Sequence, residues 1–373
     1  MKQKAVRRTL ACLLSALTLW GVIATTGSDS PGAALGAIRE AGLSRQIVRW
    51  ELGDFFPADH LPFSTLLALR QSPLLMAGRD AVSRLSASAP SADGDEPPAE
   101  ATPTIPPSTV SADLEFLDNG APAETVIPSS KKGYSVVGNV YIKNTSTQSP
   151  DLDALAKGDF AAKLSELGPQ VLIIHTHGSE AYTMPAGQEY TSSGSYRTAD
   201  ARCSVIRVGD EMAATLSRYG ISVLHDRNLY DAPEYNGAYY RSMDAIEDYL
   251  AKYPSLVFVL DVHRDAIEDS SGRQYKVVSK EDPHAAQISL IMGSDYTDWM
   301  ENLKLAVAVQ QTITQAHPTL MRPLALRNSG YNEEATVGSL LVEVGAAGNS
   351  LDEAIYAGRL FAEGLAETIQ KDK

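Results

Sequence analysis

Three short stretches of the chain concentrate the residue types that perform hydrolytic chemistry. The first reads His175-Thr176-His177-Gly178-Ser179-Glu180, the second Asp261-Val262-His263-Arg264-Asp265, and the third Glu343-Val344-Gly345. Each follows an apolar run, at 171–174, 256–260 and 340–342 respectively. Ionisable side chains are costly to bury without partners, so three such clusters at the ends of apolar runs ask for a common cause. A metal centre supplies one. His177 and Glu180, spaced as H-x-x-E, join His263 to make the two-histidine, one-carboxylate ligand set of catalytic zinc in hydrolases. Three protein ligands leave a fourth position for water, whose pKa zinc lowers to about 7. On this reading Glu343 takes the water's proton and passes it to the leaving amine. Arg264 then holds a substrate carboxylate or steadies the oxyanion.

Plainer readings stand beside this one. An isolated H-x-x-E arises often by chance, His263 can be a core-edge histidine held by Asp261 or Asp265, and Glu343 can pair with Arg264 in a structural ion pair. His175 is open as a ligand, as a partner standing behind a ligand, or as a structural residue. His177 ranks above it because Gly178 lets the backbone turn tightly beside a metal. His60, His225, His284 and His317 have no comparable neighbours and read as surface or structural. The tyrosines between 230 and 240 read as a cover for the sheet in preference to an aromatic platform for a sugar. Cysteine contributes nothing: only Cys12 and Cys203 occur, too few for a thiolate zinc site, and Cys12 lies in an apolar N-terminal run. A formal net charge of -14 argues against nucleic acid as a partner, since no basic surface exists to neutralise phosphates.

Such clusters need a scaffold, and the hydrophobic pattern provides one. Residues 134–142 read as a strand or hairpin, and 171–174, 221–224, 256–260, 288–292 and 340–342 as short apolar strands. Helical spacing appears at 201–219, with Gly220 in the usual terminating position, at 241–252, and around Leu305, Val309 and Ile313. A closing helix opens with Ser350-Leu351-Asp352-Glu353, a capping-box pattern. Strands alternating with helices imply an α/β domain with a mostly parallel sheet flanked by helices, whose ligand site lies beyond the C-terminal strand ends. The three polar clusters sit where that rule requires.

Four regions follow. Residues 1–28 read as an N-terminal membrane anchor: Lys2, Lys4, Arg7 and Arg8 precede an apolar run from about Leu10 to Ala24. Positive charge before the run places the N-terminus in the cytoplasm and the body outside. A cleaved signal peptide is the competing reading. Residues 29–85 read as a juxtamembrane helical region. Residues 86–132, rich in Pro, Ser, Ala and Glu, read as a linker, and 133–373 as the catalytic domain.

Taken together, 175–182, 261–265 and Leu341-Val342-Glu343-Val344-Gly345 with Asn349 resemble the stage II sporulation protein P family, over about 136 to the C-terminus. The resemblance implies a septal membrane protein of endospore formers, with a catalytic domain similar to zinc-dependent N-acetylmuramoyl-L-alanine amidases. It implies cleavage of the amide between muramic acid and the stem peptide, and of cross-links between stem peptides, during engulfment. It further implies peptidoglycan as substrate and a complex with sporulation proteins D and M. By motif, His177 and His263 correspond to the zinc histidines and Glu343 to the catalytic glutamate of such amidases. Those enzymes take a third ligand from the start of the next helix, but 197–203 holds no glutamate. Glu180 is therefore the expected third ligand, on its H-x-x-E spacing. A zinc carboxypeptidase acting on wall peptides and a non-catalytic wall-binding scaffold are the alternatives.

Overall fold

A computed structural model describes residues 110–111 and 113–371 of the chain. The expected anchor at 1–28, the juxtamembrane region at 29–85 and most of the expected linker lie outside the described residues. In chain order the elements are β1 (Ala123–Glu124), β2 (Ser135–Val137), β3 (Val140–Asn144), α1 (Leu152–Ala156), β4 (Val171–Ile174) and α2 (Val205–Arg218). Next come β5 (Val223–His225), α3 (Ala238–Lys252), β6 (Phe258–Asp265), β7 (Lys276–Val277), β8 (Ile288–Gly293) and α4 (Trp299–Ala316). The chain closes with β9 (Leu324–Arg327), a 3-10 turn (Glu333–Ala335), β10 (Gly338–Ala346) and α5 (Leu351–Gln370).

Eight strands form one sheet in the order β2-β3-β9-β8-β10-β6-β4-β5. The sheet is mixed, with five of its seven neighbouring pairs parallel, where the pattern led us to expect a mostly parallel one. The pairs β2–β3 and β8–β10 are antiparallel, and the other neighbours are parallel. A continuous apolar run reports burial on both faces but carries no information about strand direction, which explains the difference. No helix among the described residues is long and apolar enough to cross a membrane.

Period-two alternation assigns the two sheet faces. Val171 and Ile173 of β4, Phe258, Leu260 and Val262 of β6, and Leu340, Val342 and Val344 of β10 join the larger core with α2, α4 and α5. Leu172 and Ile174, with Val259, pack instead against Ile246 and Tyr249 of α3. The parity continues past the apolar residues. Asp261 and His263 share the α3 face with Val259, and Glu343 joins them because it pairs with His263 across the parallel β6–β10 ladder. β6 and β10 run on through their polar clusters instead of ending before them.

Local signals act where they were expected. The Ser350 side chain accepts from the Glu353 backbone and Glu353 returns the bond, so the capping box is formed. Ser204 caps α2, which starts four residues later than the apolar spacing suggested, and Gly220 follows its end at φ 76°.

Residues before Gly133 belong to the folded body, which corrects the expected linker boundary. β1 pairs in parallel with β7, Asn119 donates to the carbonyls of Thr183 and Gly348 at 2.9 Å each, and the Glu115 amide donates to Asp352 at 2.8 Å. Phe116 stacks on His284 with ring centroids 4.4 Å apart. Composition favoured a linker because few of these contacts are apolar: most are single hydrogen bonds made to loops distant in sequence.

Beyond β9, residues 329–335 form a loop held to the end of β8. The buried Glu333 carboxylate accepts from the Gly293 amide at 2.7 Å and the Tyr296 hydroxyl at 3.2 Å, while its second oxygen has no partner. Burial pushes this carboxyl well above its ordinary range. A raised acid pKa means that its contribution to stability is complete below the unfolded value. That contribution is lost as pH climbs toward the folded value. Glu333→Gln, which cannot ionise, is expected to match the wild type near pH 4.5 and to gain over it as pH rises. The gain should approach ~1.4 kcal/mol per pH unit, read by urea unfolding at pH 5 and 7.5. Equal stability differences at both pH values would show that the carboxyl is not held protonated.

Candidate metal centre and active site

His177, Glu180 and His263 converge. One nitrogen or oxygen from each lies within 4.8 Å of the others, and all three residues are buried. β4 delivers the chain to His177, and the turn that follows is closed by the Glu180 amide donating to the His177 carbonyl at 3.0 Å. That turn brings Glu180 Oε1 to 3.7 Å from His177 Nδ1, while its Oε2 stands 3.4 Å from His263 Nδ1. Tetrahedral zinc with bonds near 2 Å would separate its ligand atoms by about 3.3 Å. Donors that lie within 4.8 Å of one another would have to close in by up to about 1.5 Å. Gly178 lies against Leu229 and the Asn228 carbonyl, where a Cβ would come within 3.0 Å of the leucine.

The charges explain how such a cluster is tolerated. Burial alone would depress the His263 ring, but Asp261 and Glu180 outweigh it and hold the imidazole well above its ordinary value. Burial likewise works against the Glu180 carboxylate, yet His263 and Arg264 bring it down to about 2. His177, desolvated and facing His263, is pushed down to about 4. Without a metal the His263 ring supplies the positive charge among these carboxylates; a metal ion held by the trio would take over that charge and displace the ring's proton.

Asp261 stands behind His263, outside the converging trio. Its Oδ1 lies 2.9 Å from His263 Nε2, and its two oxygens accept from the Thr176 amide at 2.8 Å and hydroxyl at 2.6 Å. The 2.9 Å approach is an ion-pair contact whose angle falls short of a formed hydrogen bond. It leaves Nδ1 as the nitrogen turned toward Glu180, the usual carboxylate–histidine arrangement at metals. Asp261→Asn is expected to weaken zinc about 10–100-fold with the fold intact, measurable by competition with a chelating dye. Unchanged affinity would remove Asp261 from the centre.

Glu343 is beside His263 in register, partly exposed, with Oε2 itself buried and unpartnered. Burial, Asp265 and Glu180 push its carboxyl up to about 8. A bulge between Glu343 and Ala346, with Gly345 at φ 69°, ends the regular β6–β10 pairing just past the carboxylate.

Two expected roles change. Arg264 does not face an open cleft. Its Nε donates to the Ala181 carbonyl at 3.1 Å and an Nη to that of Tyr196 at 2.9 Å, so it braces the Glu180 loop instead of holding substrate. Asp265 is outside the trio and pairs with Arg322 at 2.7 Å.

His175 is excluded from the centre by parity, since it follows Ile173 onto the α2 face. Its Nδ1 must donate to the Val262 carbonyl at 2.8 Å, which leaves Nε2 to accept from His225 Nε2 at 2.9 Å. Burial and His225 hold the His175 ring down near about 3. His225 itself lies 3.1 Å from Asp210, and the pair is seated over Gly209, where a Cβ would come within 2.6 Å of both rings.

Sequence reasoning missed Arg197 and the tyrosines at the centre. Arg197 pairs with Asp231 at 2.6 Å, reaches Glu180 at 3.5 Å and covers the Tyr235 ring. The Tyr235 ring stacks on His177 with centroids 4.5 Å apart, and Tyr239 meets His177 edge-on at 5.4 Å. Arg197 lies in a polar loop without periodicity, so no signal marked it; the clustering of tyrosines was a signal, weighted toward sheet cover.

The sequence model of the stage II sporulation protein P family matches residues 119–366, two thirds of the chain and all three polar clusters. The chain belongs to the stage II sporulation protein P family. A curated relative, stage II sporulation protein P of Bacillus subtilis (strain 168), is 25% identical over 208 residues, covering 53% of this chain. The chain spans about half, 50%, of that relative's length. Among solved structures, N-acetylmuramoyl-L-alanine amidase AmiC2 of Nostoc punctiforme is similar at 17% identity and TM-score 0.33, over 55% of this chain and 97% of that one. The CwlD amidase from Clostridioides difficile, in complex with the GerS lipoprotein, is similar at 14% identity and TM-score 0.35, over 54% and 97%. Scores of this size decide nothing about this family member. Within the family's matched region, Tyr182 and Asn349 of the motifs prove structural. The Tyr182 hydroxyl donates to the Val344 carbonyl at 3.0 Å, and Asn349 clamps Val277 and Glu353.

Proposed function

We propose that this chain is a zinc-dependent peptidoglycan hydrolase, which cleaves the amide joining muramic acid to the stem peptide and also cross-links between stem peptides. The observation that carries the proposal is the His177–Glu180–His263 trio with Glu343 at its side. The buried, unpartnered Glu343 Oε2 and the mixed nitrogen–carboxylate donor set both suit zinc. Zinc held there would polarise a substrate carbonyl and acidify a water. His177 and Glu180 would fix the centre from one loop and His263 from the strand, with Asp261 orienting His263 from behind. Glu343 would accept the proton of the attacking water and release it to the leaving nitrogen. Its raised carboxyl retains a proton in the metal-free protein, and a cation on the trio would favour its charged, accepting form.

The carboxypeptidase reading asked Arg264 to capture a free carboxylate, and the engagement of that guanidinium with loop carbonyls speaks against it. Family membership supports a place in sporulation. The apolar run near the N-terminus supports a membrane anchor with the hydrolase outside the cytoplasm. Action at the sporulation septum with sporulation proteins D and M is part of the proposal and rests on the family resemblance. Zinc content of the purified chain, together with product masses from digested wall sacculi, tests the reading. One zinc per chain and release of whole stem peptides are expected. A zinc-free chain that leaves sacculi intact would point instead to a wall-binding scaffold.

A further inference from the structure

A cleft of about 480 Å³ opens from His177, in the size range of small-ligand sites. Its walls are aromatic and come from two elements. Tyr235, Tyr239 and Tyr240 stand at and before the start of α3, and Tyr331 faces them from the loop after β9. Tyr235 is 51% and Tyr240 58% exposed, so large rings are left open to water inside a concavity that touches the candidate metal centre. Exposed apolar surface of this kind marks a ligand groove. The walls are also set before any ligand arrives. Tyr331 and Asn332 take the left-handed conformation at φ 54° and 58°, which is costly for a bulky tyrosine. Asn332 holds it by donating to the Tyr239 carbonyl and the Ser242 hydroxyl at 2.9 Å each. Gly293 admits the Ser329 carbonyl so closely that a Cβ would sit 2.2 Å from it.

We propose that this cleft is a saccharide subsite, in which Tyr240 and Tyr331 stack on a neutral N-acetylated sugar ring of the glycan strand. The proposal takes the identity of the sugar from the peptidoglycan reading above; the stacking chemistry stands on the cleft. An aromatic face is negative and attracts the polarised C–H face of a sugar, while Asn236 and Glu334 at the rim can bond hydroxyl and acetamido groups. No lysine or arginine lines the cleft, and Glu334 is its one acidic residue. Peptide carboxylates would be repelled there, whereas a muramic acid whose lactyl group is already amidated brings no charge. The scissile amide then lies at the sugar's edge, toward His177.

The test titrates the full-length chain in detergent with tri-N-acetylchitotriose, a neutral and peptide-free probe, by calorimetry, and measures muropeptide KM in parallel. Saturable binding is expected. Tyr240→Ala should weaken it about three- to tenfold and raise KM by a similar factor at unchanged kcat, the range of one aromatic stacking contact. Tyr240→Trp should restore both. Tyr240 is exposed and makes no side-chain hydrogen bond in the fold, so its truncation leaves the chain folded; Tyr219→Ala, an exposed tyrosine beyond the end of α2, should change neither value. A chain that cuts muropeptides yet ignores the probe, or whose Tyr240→Ala variant binds it as well as the wild type, would overturn the subsite and leave the hydrolase reading standing. Probe binding that Tyr240→Ala weakens, in a chain that never cuts, supports the subsite and removes the hydrolase.

Discussion

Glu343→Gln is expected to leave zinc bound and to lower the rate of muropeptide cleavage by about 10²–10⁴-fold, the range contributed by a positioned acid–base group. Three observations support so large an effect. Glu343 neighbours His263 in register, so any reacting group held at the trio falls within its reach. Its carboxyl is pushed up to about 8 by burial, Asp265 and Glu180, which suits a group that must both take and give a proton near neutral pH. Its Oε2 has no protein partner, so glutamine loses proton transfer without breaking a structural bond. Zinc should remain because the ligands are elsewhere. Single-turnover rates on a purified muropeptide, with metal content by mass spectrometry, check both halves. A variant that cuts within fewfold of wild type would remove Glu343 from the chemistry, and the proton would need another carrier.

Removal of a metal ligand carries the second large effect. His263→Ala is expected to lose zinc by more than the ~100-fold that an orienting partner alone is worth, and cleavage with it. The same change withdraws the cationic ring from between Asp261 and Glu180, both buried. Stranding buried charge costs about 3–5 kcal/mol, so the apo variant should also unfold at lower denaturant. His177→Ala separates the two effects. His177 lies at the cleft edge, 9% exposed, and pairs with Glu180 only at 3.7 Å. It should lose zinc and activity while keeping most of the fold's stability. Zinc retained by both variants would show that the trio is an ion-pair cluster with no metal role. The experiments should use the full chain, because a fragment beginning at Gly133 would cut away β1 and the contacts of Asn119 and Phe116.

Some of this arrangement could be read without coordinates because its causes are local. β4 coincides with the apolar run at 171–174, and the closing helix begins at its capping box, since burial and capping are written in adjacent residues. The two histidines and the carboxylates of the centre were legible for a similar reason. Ionisable side chains packed against apolar strands need partners, and that need marked them. Other assignments depended on knowing which way a side chain points. His175 and His177 are two residues apart and alike in type, yet one faces α2 while the other lies beyond the strand end at the cleft. Arg264 was expected at substrate and is spent on the carbonyls of Ala181 and Tyr196, a contact between segments more than sixty residues apart.

The sequence by itself determined the main strands and helices, the family, and the residues proposed to hold a metal and move a proton. These follow from hydrophobic period, capping chemistry and side-chain pKa, all properties of neighbouring residues. Tertiary structure alone decided that β8 runs against β10, that residues before Gly133 join the fold, that Asp261 stands behind His263, and that four tyrosines open a cleft beside His177. Each of these depends on which distant segments meet and at what register, and a one-residue shift in register would turn every side chain of a strand to the opposite face.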